Sequence, residues 1–597
     1  MQNQEISPPA PRILFVSPCG PYVKARVDRD PLDFFYYRNT LGQRLLMLRA
    51  SQSWFSLHFI AQNIPAESVV LENPSPARFH EEVRSGNYQV VAIAFTVIMT
   101  RRVLLMVRWL REHFPGIEIL LGGYGTAAFL APDRDAAELR GLVDGICRGE
   151  GRTFMRDYLA RRWGVGGEVP LRQDFVPVTH SFIRTRFPLF RQLVVVASLG
   201  CTYGCPFCAT SSQFARRRIP IASGRALFLL LLESARKHPK ISSAIVYDED
   251  FLLDRKAFLE FADCMESSDE LQQRPILLTV FASVRTLGRY TTDELLRAGI
   301  GTIYVGVESL KEEVITDEHL SKRDGDVRAL FKELHRHGIN TLGSLIIGWD
   351  GVTPAQAVEE ISGFVALNPT FYQVVPLHPV PGTALWERMA AEGRIATDYT
   401  FADDHVGRFT VRPSHMTLDD AQRAVFCTYR DLVAEGGPWP FRILENLLQG
   451  IATLEKRTDP VDSRRIHAYR LILKKTLPLA LVSRLWFHGR GFRRRWTAAM
   501  RRTLAEHTAV FLISLALAPF LAVGLPLVYF VAQAFYWLSP SGEQPEVLRV
   551  AYFQGTMSMS AGDIPTRSSA EQQLVHASPL KEEPLPVITT RPLWYEG

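Results

Sequence analysis

Residues 199–210 read LGCTYGCPFCAT and place Cys201, Cys205 and Cys208 three and then two residues apart, while Cys19, Cys147, Cys264 and Cys427 are scattered. Three thiolates cannot complete a tetrahedral structural zinc site, which takes four ligands and usually draws them from paired knuckles. No second Cys-x-x-Cys and no His-x-x-x-His occurs in the chain. A disulfide would leave one thiol over. Soft thiolates in a tight loop, loosened by Gly200 and Gly204, suit an iron–sulfur cluster, and three ligands on a four-iron cube leave one iron open to chemistry.

Such a loop needs a rigid support, and the flanking sequence supplies one. From 186 to 395, apolar runs alternate with helical patterns: LVVVASLG, SSAIVYDED, ILLTVFAS, GTIYVGVES, TLGSLIIGWD and TFYQVVPLHPVPGT. Six strand–helix repeats predict a partial (β/α)6 barrel with its polar clusters at the strand carboxyl ends, where barrel chemistry sits. Residues 1–162 show a second α/β series, with strands in RILFVS, ESVVLE, YQVVAIAF and IEILLGG, and read as a doubly wound parallel sheet. Its ligand edge would hold Thr96, Gly122, Gly123, Thr126, Gly149 and Glu150. Residues 163–185, rich in Gly and Pro, read as a linker.

The carboxyl third is different. Residues 396–503 are mostly helical by pattern, and the stretch between Asp462 and Glu506 holds twelve Lys and Arg and no acid, although the whole chain carries only +6. From Thr508 to Gly542 no residue is charged. The segment 504–540 therefore reads as membrane-associating, being longer than the roughly 20 residues that cross a bilayer core. Pro519 and Pro526 leave a span, a re-entrant hairpin and an interfacial helix all open. Phe535, Tyr536 and Trp537 would suit the headgroup level, and the basic run an anionic cytosolic leaflet. Residues 541–597 are polar and aperiodic and read as a disordered tail. Few cysteines in no regular framework, and no apolar signal core in residues 1–12, favour a reducing, cytosol-facing location.

CTYGCPFC resembles the cluster motif of the radical S-adenosylmethionine (SAM) enzymes, including the aromatic Phe207 before the last cysteine. The resemblance covers about residues 190–390. It implies a 4Fe-4S cluster on Cys201, Cys205 and Cys208 whose open iron chelates SAM, reductive cleavage to a 5′-deoxyadenosyl radical, and hydrogen abstraction from an unactivated carbon. It further implies SAM contacts at Asp248 of VYDEDF, Ser283 and Arg285 of ASVRT, Glu308 of VGVES, Ile346 and Gly348 of LIIGW, and Pro381 of PLHPVPGT. A reducing partner of flavodoxin or ferredoxin type would supply the electron.

The first domain resembles the flavodoxin-like cobalamin-binding domain of the cobalamin-dependent radical SAM class, through TVI, GGYGT and CRGEG. The Asp-x-His-x-x-Gly motif, whose histidine ligates cobalt in the methionine-synthase type, is absent, so both a corrinoid-binding and a corrinoid-free domain stay open. The expected function is a radical SAM enzyme at the cytoplasmic face of the membrane that methylates, or joins carbon to, an apolar carbon of a lipid or isoprenoid. With cobalamin it would be a methyltransferase, as in the hopanoid methylases that this architecture resembles. The alternatives are a soluble natural product, tetrapyrrole or peptide as substrate, or a non-catalytic cluster- or corrinoid-binding sensor. No nucleic-acid partner is expected.

Overall fold

Apolar runs rich in Val, Ile and Leu become strands covered on both faces, as parallel sheets require. The computed structural model describes residues 10–20, 39–183 except Gln52, Glu168 and Phe175, 190–312, 314, 325–396, 409–538, 547–553 and 556–558. In the first sheet β1 (Ile13–Val16), β3 (Ser68–Glu72), β4 (Val90–Ala94), β5 (Glu118–Gly122) and β6 (Gly145–Ile146) run parallel in the order β3-β1-β4-β5-β6. That is the flavodoxin-like winding, which reverses between β1 and β4 and opens a crevice at their carboxyl ends. Alternate residues feed two cores: Leu14, Val16 and Val91 face one side, Ile13, Phe15 and Val90 the other.

The second sheet carries β8 (Phe190–Val196), β11 (Ser243–Tyr247), β12 (Leu277–Ser283), β13 (Ile300–Glu308), β14 (Asn340–Ile347) and β15 (Phe371–Pro376), all parallel and in chain order. These are the six expected strands of a partial barrel. A short ribbon of β9 (Ser198–Leu199) and β10 (Ile219–Pro220) closes the base of the cysteine loop.

Three expected boundaries shift. The linker 163–185 contains β7 (Val178–Ile183), which pairs antiparallel with β8. Residues 1–162 do not all belong to the first unit: β2 (Leu48–Ser51) pairs with β7, and Leu46 and Leu48 are buried in the barrel core. The tail 541–597 contains β16 (Leu548–Phe553) and β17 (Thr556–Ser558); β16 lies antiparallel on β3, from Leu548 opposite Glu72 to Tyr552 opposite Ser68. LRVAYF is a six-residue strand sequence in polar surroundings, and an open sheet edge supplies its backbone partners. The remainder of the tail lies outside the described residues.

The region 396–503 shares one apolar core with the barrel instead of forming a separate unit. The helices Leu418–Gly436, Trp439–Leu454, Pro460–Ser483 and Arg490–Glu506 pack there. A Cβ on Gly450 would lie 2.7 Å from the Cα of Gly338, so the two backbones meet where only glycines fit. Buried Arg442 donates to the carbonyl oxygens of Gly437, Pro369 and Leu432. Thr508–Leu538 is one continuous helix, and Pro519 and Pro526 do not break it. The side chains of Phe535, Tyr536 and Trp537 lie outside the described residues.

Candidate functional site

The cysteine loop leaves β9 at Gly200. A left-handed φ of +76° there and of +74° at Gly204 turns the backbone twice within five residues, and a Cβ on Gly200 would sit 2.2 Å from the Arg217 carbonyl oxygen. Cys201 and Cys205 are buried and Cys208 half-buried, with the Cys208 N–H donating to the Cys205 carbonyl at 3.1 Å. Among the described residues no three His, Cys, Asp or Glu side chains gather around a single metal ion. Three thiols carried on one tight loop suit a cube that takes one thiolate per iron and leaves the fourth iron open.

The other predicted residues ring the mouth of the barrel at successive strand ends. Phe207 packs edge-on against Trp349, with ring centroids 5.7 Å apart, in the small apolar cluster that includes Ile346. Ser283 ends β12 and caps the short helix Val284–Leu287, its hydroxyl accepting from the Thr286 N–H at 3.2 Å. Arg285 follows on that helix and is exposed. Glu308 ends β13 at a register shift, with φ +59°, and its carboxylate accepts from the Ser344 hydroxyl at 3.0 Å. Gly348, at φ +100°, leaves room for Phe409, whose ring would lie 2.7 Å from an added Cβ. Pro381 belongs to the closing segment, which is tied to the cysteine loop by the Leu385 N–H donating to the Pro206 carbonyl at 3.0 Å. A non-glycine residue at left-handed φ costs about 1–3 kcal/mol and concentrates at working sites, and among the predicted site residues Glu308 is the one so held.

Asp248 differs from the rest of this set. It is buried at the end of β11, accepting from the Ser198 hydroxyl at 2.6 Å, the Arg218 guanidinium at 3.0 Å and the Asp250 N–H at 3.0 Å. Asp250 in turn accepts from the Ser283 N–H at 3.1 Å and the Thr286 hydroxyl at 2.7 Å. The acidic motif therefore braces the strand ends from within, and Asp248 points toward a different space.

That space is a cavity of about 380 Å³ between the carboxyl ends of the two sheets. Ala92, Ala94, Phe59, Phe154 and Met155 give it apolar lining from the first unit, and Ser198, Leu199, Tyr247 and Asp248 line it from the barrel. Gly122, Gly123, Gly149 and Glu150 line it as the sequence suggested, whereas Thr96 and Thr126 are not among its wall residues. Gly123, at φ +85°, lets the chain pass the Phe95 carbonyl oxygen, which an added Cβ would approach to 2.8 Å. Glu150 is occupied in capping the helix Gly151–Trp163, accepting from the Arg152 and Thr153 N–H groups at 2.7 and 2.9 Å. Thr126 donates its hydroxyl to the Gly123 carbonyl at 2.9 Å, and the buried Thr96 Oγ1 has no partner among the described residues. Burial pushes the Cys147 thiol, also in the wall, up to about 12, so it stays neutral.

Sequence reasoning assigned no role to the residues that join the units. The Tyr124 and Thr210 hydroxyls lie 3.0 Å apart, and Thr210 donates to Glu249 at 3.1 Å. Tyr124 and Glu249 stood inside the quoted motifs GGYGT and VYDED, but nothing in a linear pattern pairs them. Phe55 and Phe59, on the cavity's helix Phe55–Ala61, gave no signal beyond helical apolarity.

Residues 195–362 match the family model described as the radical SAM superfamily. Over 208 residues the chain is 26% identical to an uncharacterized methyltransferase of Pyrococcus horikoshii, covering 34% of this chain and 43% of that protein. Over 207 residues it is 25% identical to the hopanoid C-2 methylase of Rhodopseudomonas palustris, covering 34% and 38%. The chain thus spans less than half the length of these curated relatives. A solved structure of the cobalamin-dependent SAM radical enzyme OxsB, with aqua-cobalamin and SAM bound, superposes with a TM-score of 0.50 at 12% identity, covering 89% of this chain and 84% of that one. At that identity the likeness is one of fold.

Proposed function

We propose that this chain, whose residues 195–362 form a radical SAM domain with its 4Fe-4S cluster and SAM, is a cobalamin-dependent methyltransferase acting on an apolar, isoprenoid-like lipid carbon at the cytosolic face of a membrane. The observation that carries this reading is a cavity shared by the carboxyl ends of both sheets, with a mostly apolar lining that includes Gly122, Gly123 and Gly149. A flat macrocycle with a nucleotide tail needs a slot of that kind, and Gly122, Gly123 and Gly149 keep side chains out of its way. Methyltransferase relatives, one of them acting on a hopanoid, favour methyl transfer to an isoprenoid over carbon joining.

When bound, the cluster would supply the electron that cleaves SAM and the corrinoid the methyl group. The protein's own work is positional. Cys201, Cys205 and Cys208 hold the cluster at the β8 end, and Glu308 and Arg285 offer opposite charges for the amino and carboxylate ends of SAM. Phe207, Ile346 and Pro381 give the adenine an apolar bed, and the apolar walls keep water from the reacting carbon.

The test compares extracted lipids by mass spectrometry in a deletion strain complemented with the wild type or Cys205→Ala, with and without added cobalamin. A lipid that gains one methylene only with wild type plus cobalamin supports the reading. Identical lipids in every strain, with the protein expressed, would move soluble substrates to the front.

A further inference from the structure

The helix Thr508–Leu538 has two faces of different character. Val510, Phe511, Leu521 and Leu525 pack against the catalytic core, and Ser514 is buried among them. At 100° per residue the opposite face carries Ile513, Phe520, Val523, Leu527 and Phe530, whose exposures run from 60% to 77%. Among the described residues it is the one helix long and apolar enough to cross a membrane. Length and composition alone would make it a span.

Its two ends exclude that. The amino end continues from Arg490–Glu506, itself packed in the core through Phe492, Ala499 and Met500. Beyond the carboxyl end, residues 539–547, SPSGEQPEV, are all the chain available before β16 joins the first sheet. β16 is firmly held. Val550 and Tyr552 are fully buried, the Tyr552 hydroxyl lies 2.7 Å from His58 Nδ1, His58 Nε2 lies 3.0 Å from Glu72, and Arg549 pairs with Glu82 at 2.9 Å. A helix of 31 residues is about 46 Å long and would carry residue 538 past a core about 30 Å thick. Nine residues reach about 30 Å when fully extended. They would have to recross the bilayer as bare extended backbone carrying Glu543 and Glu546, which hydrocarbon does not tolerate.

We infer that Thr508–Leu538 is a monotopic anchor lying in the plane of one anionic leaflet, with β16 as the strap that returns the chain to the catalytic body on the same side. This deepens the membrane-side reading above and rests on it. Charge complementarity names the occupant: Lys474, Lys475, Arg493, Arg494 and Arg501, on the two helices packed against the anchor, are exposed and form no ion pair with a described residue. Exposed basic groups on helices packed against an apolar anchor fit acidic headgroups over a shallow acyl layer.

Two measurements on the full chain test it. The protein should float with vesicles of phosphatidylcholine and phosphatidylglycerol, float less with phosphatidylcholine alone, and lose flotation as Phe520→Asp/Val523→Asp while keeping its iron content and circular dichroism. In inside-out membrane vesicles from expressing cells, protease should remove tags placed at both termini. A protected carboxyl-terminal tag on a floating protein would mean a span and would overturn the in-plane anchor while leaving the membrane reading intact. A protein that stays in solution as a dimer, without floating, would mean that a second copy covers the face, and both readings would fall. Neither result depends on which substrate is methylated.

Discussion

Glu308 and Ser344 meet across the ends of β13 and β14, the carboxylate accepting from the hydroxyl at 3.0 Å while the Glu308 backbone is held at φ +59°. A Cβ on Gly306 would lie 2.8 Å from Glu308 Oε1, so the carboxylate folds back over this glycine and any side chain there would push it aside. The Trp349 indole, donating to the Glu308 carbonyl at 3.3 Å, fixes the same turn from the loop after β14. The strain is maintained by the strands around it.

Glu308→Gly separates the fold from the chemistry. Relief of left-handed strain, about 1–3 kcal/mol, opposes the added chain entropy of glycine, about 0.5–1 kcal/mol. Loss of the acceptor for the buried Ser344 hydroxyl adds a cost of about 1–3 kcal/mol, so thermal unfolding should show only a small net change. SAM binding by equilibrium dialysis should weaken at least about tenfold, which corresponds to about 1.4 kcal/mol. Unchanged SAM binding would remove Glu308 from the site.

The cysteines should divide into two groups. Cys201→Ala, Cys205→Ala and Cys208→Ala, each made singly, should lose the iron–sulfur absorbance and SAM cleavage after anaerobic reconstitution. Cys147→Ala and Cys264→Ala should retain both. Iron retained in any of the first three would contradict the ligand set.

Filling the cavity should act on the corrinoid alone. Ala92→Phe, in the apolar lining, adds a ring to a space of about 380 Å³. Cobalamin retention on gel filtration should fall at least about tenfold, while iron content and SAM cleavage persist. Equal cobalamin binding by both proteins would place the ligand elsewhere.

His335 gives a pH signature. Burial, reinforced by the Arg442 and Arg495 charges, pushes the imidazole down to about 3, and its Nε2 lies 2.8 Å from the Thr341 hydroxyl. Between the ordinary histidine range near 6.5 and about pH 3 the unfolded chain binds a proton that the folded chain refuses, so this residue lowers stability as pH falls through that window. His335→Gln should flatten the dependence of the urea midpoint on pH between about 6.5 and 4. A slope unchanged by the substitution would show that His335 does not drive it.

Linear sequence determined the parts whose signal is local. The cluster loop was legible because three thiols and two glycines must be close in the chain to wrap one cube. The parallel strands were legible because burial on both faces makes each a continuous apolar run. Register put polar clusters at their carboxyl ends, and the resemblance of the ASVRT, VGVES and LIIGW segments to the radical SAM pattern is what named Ser283, Glu308 and Gly348 among them.

Tertiary structure decided whatever depends on contacts between distant segments. Asp248 follows β11 as its motif places it in the chain, but Arg218, on the far side of the cysteine loop, makes it a buried brace at the cavity wall. LRVAYF reads as a stray strand in a polar tail until the free edge of β3 offers it hydrogen-bond partners more than 470 residues earlier in the chain. That pairing also settles how the apolar helix is tethered, because composition sets only whether a segment prefers lipid. Whether it can cross depends on where the chain must be nine residues later.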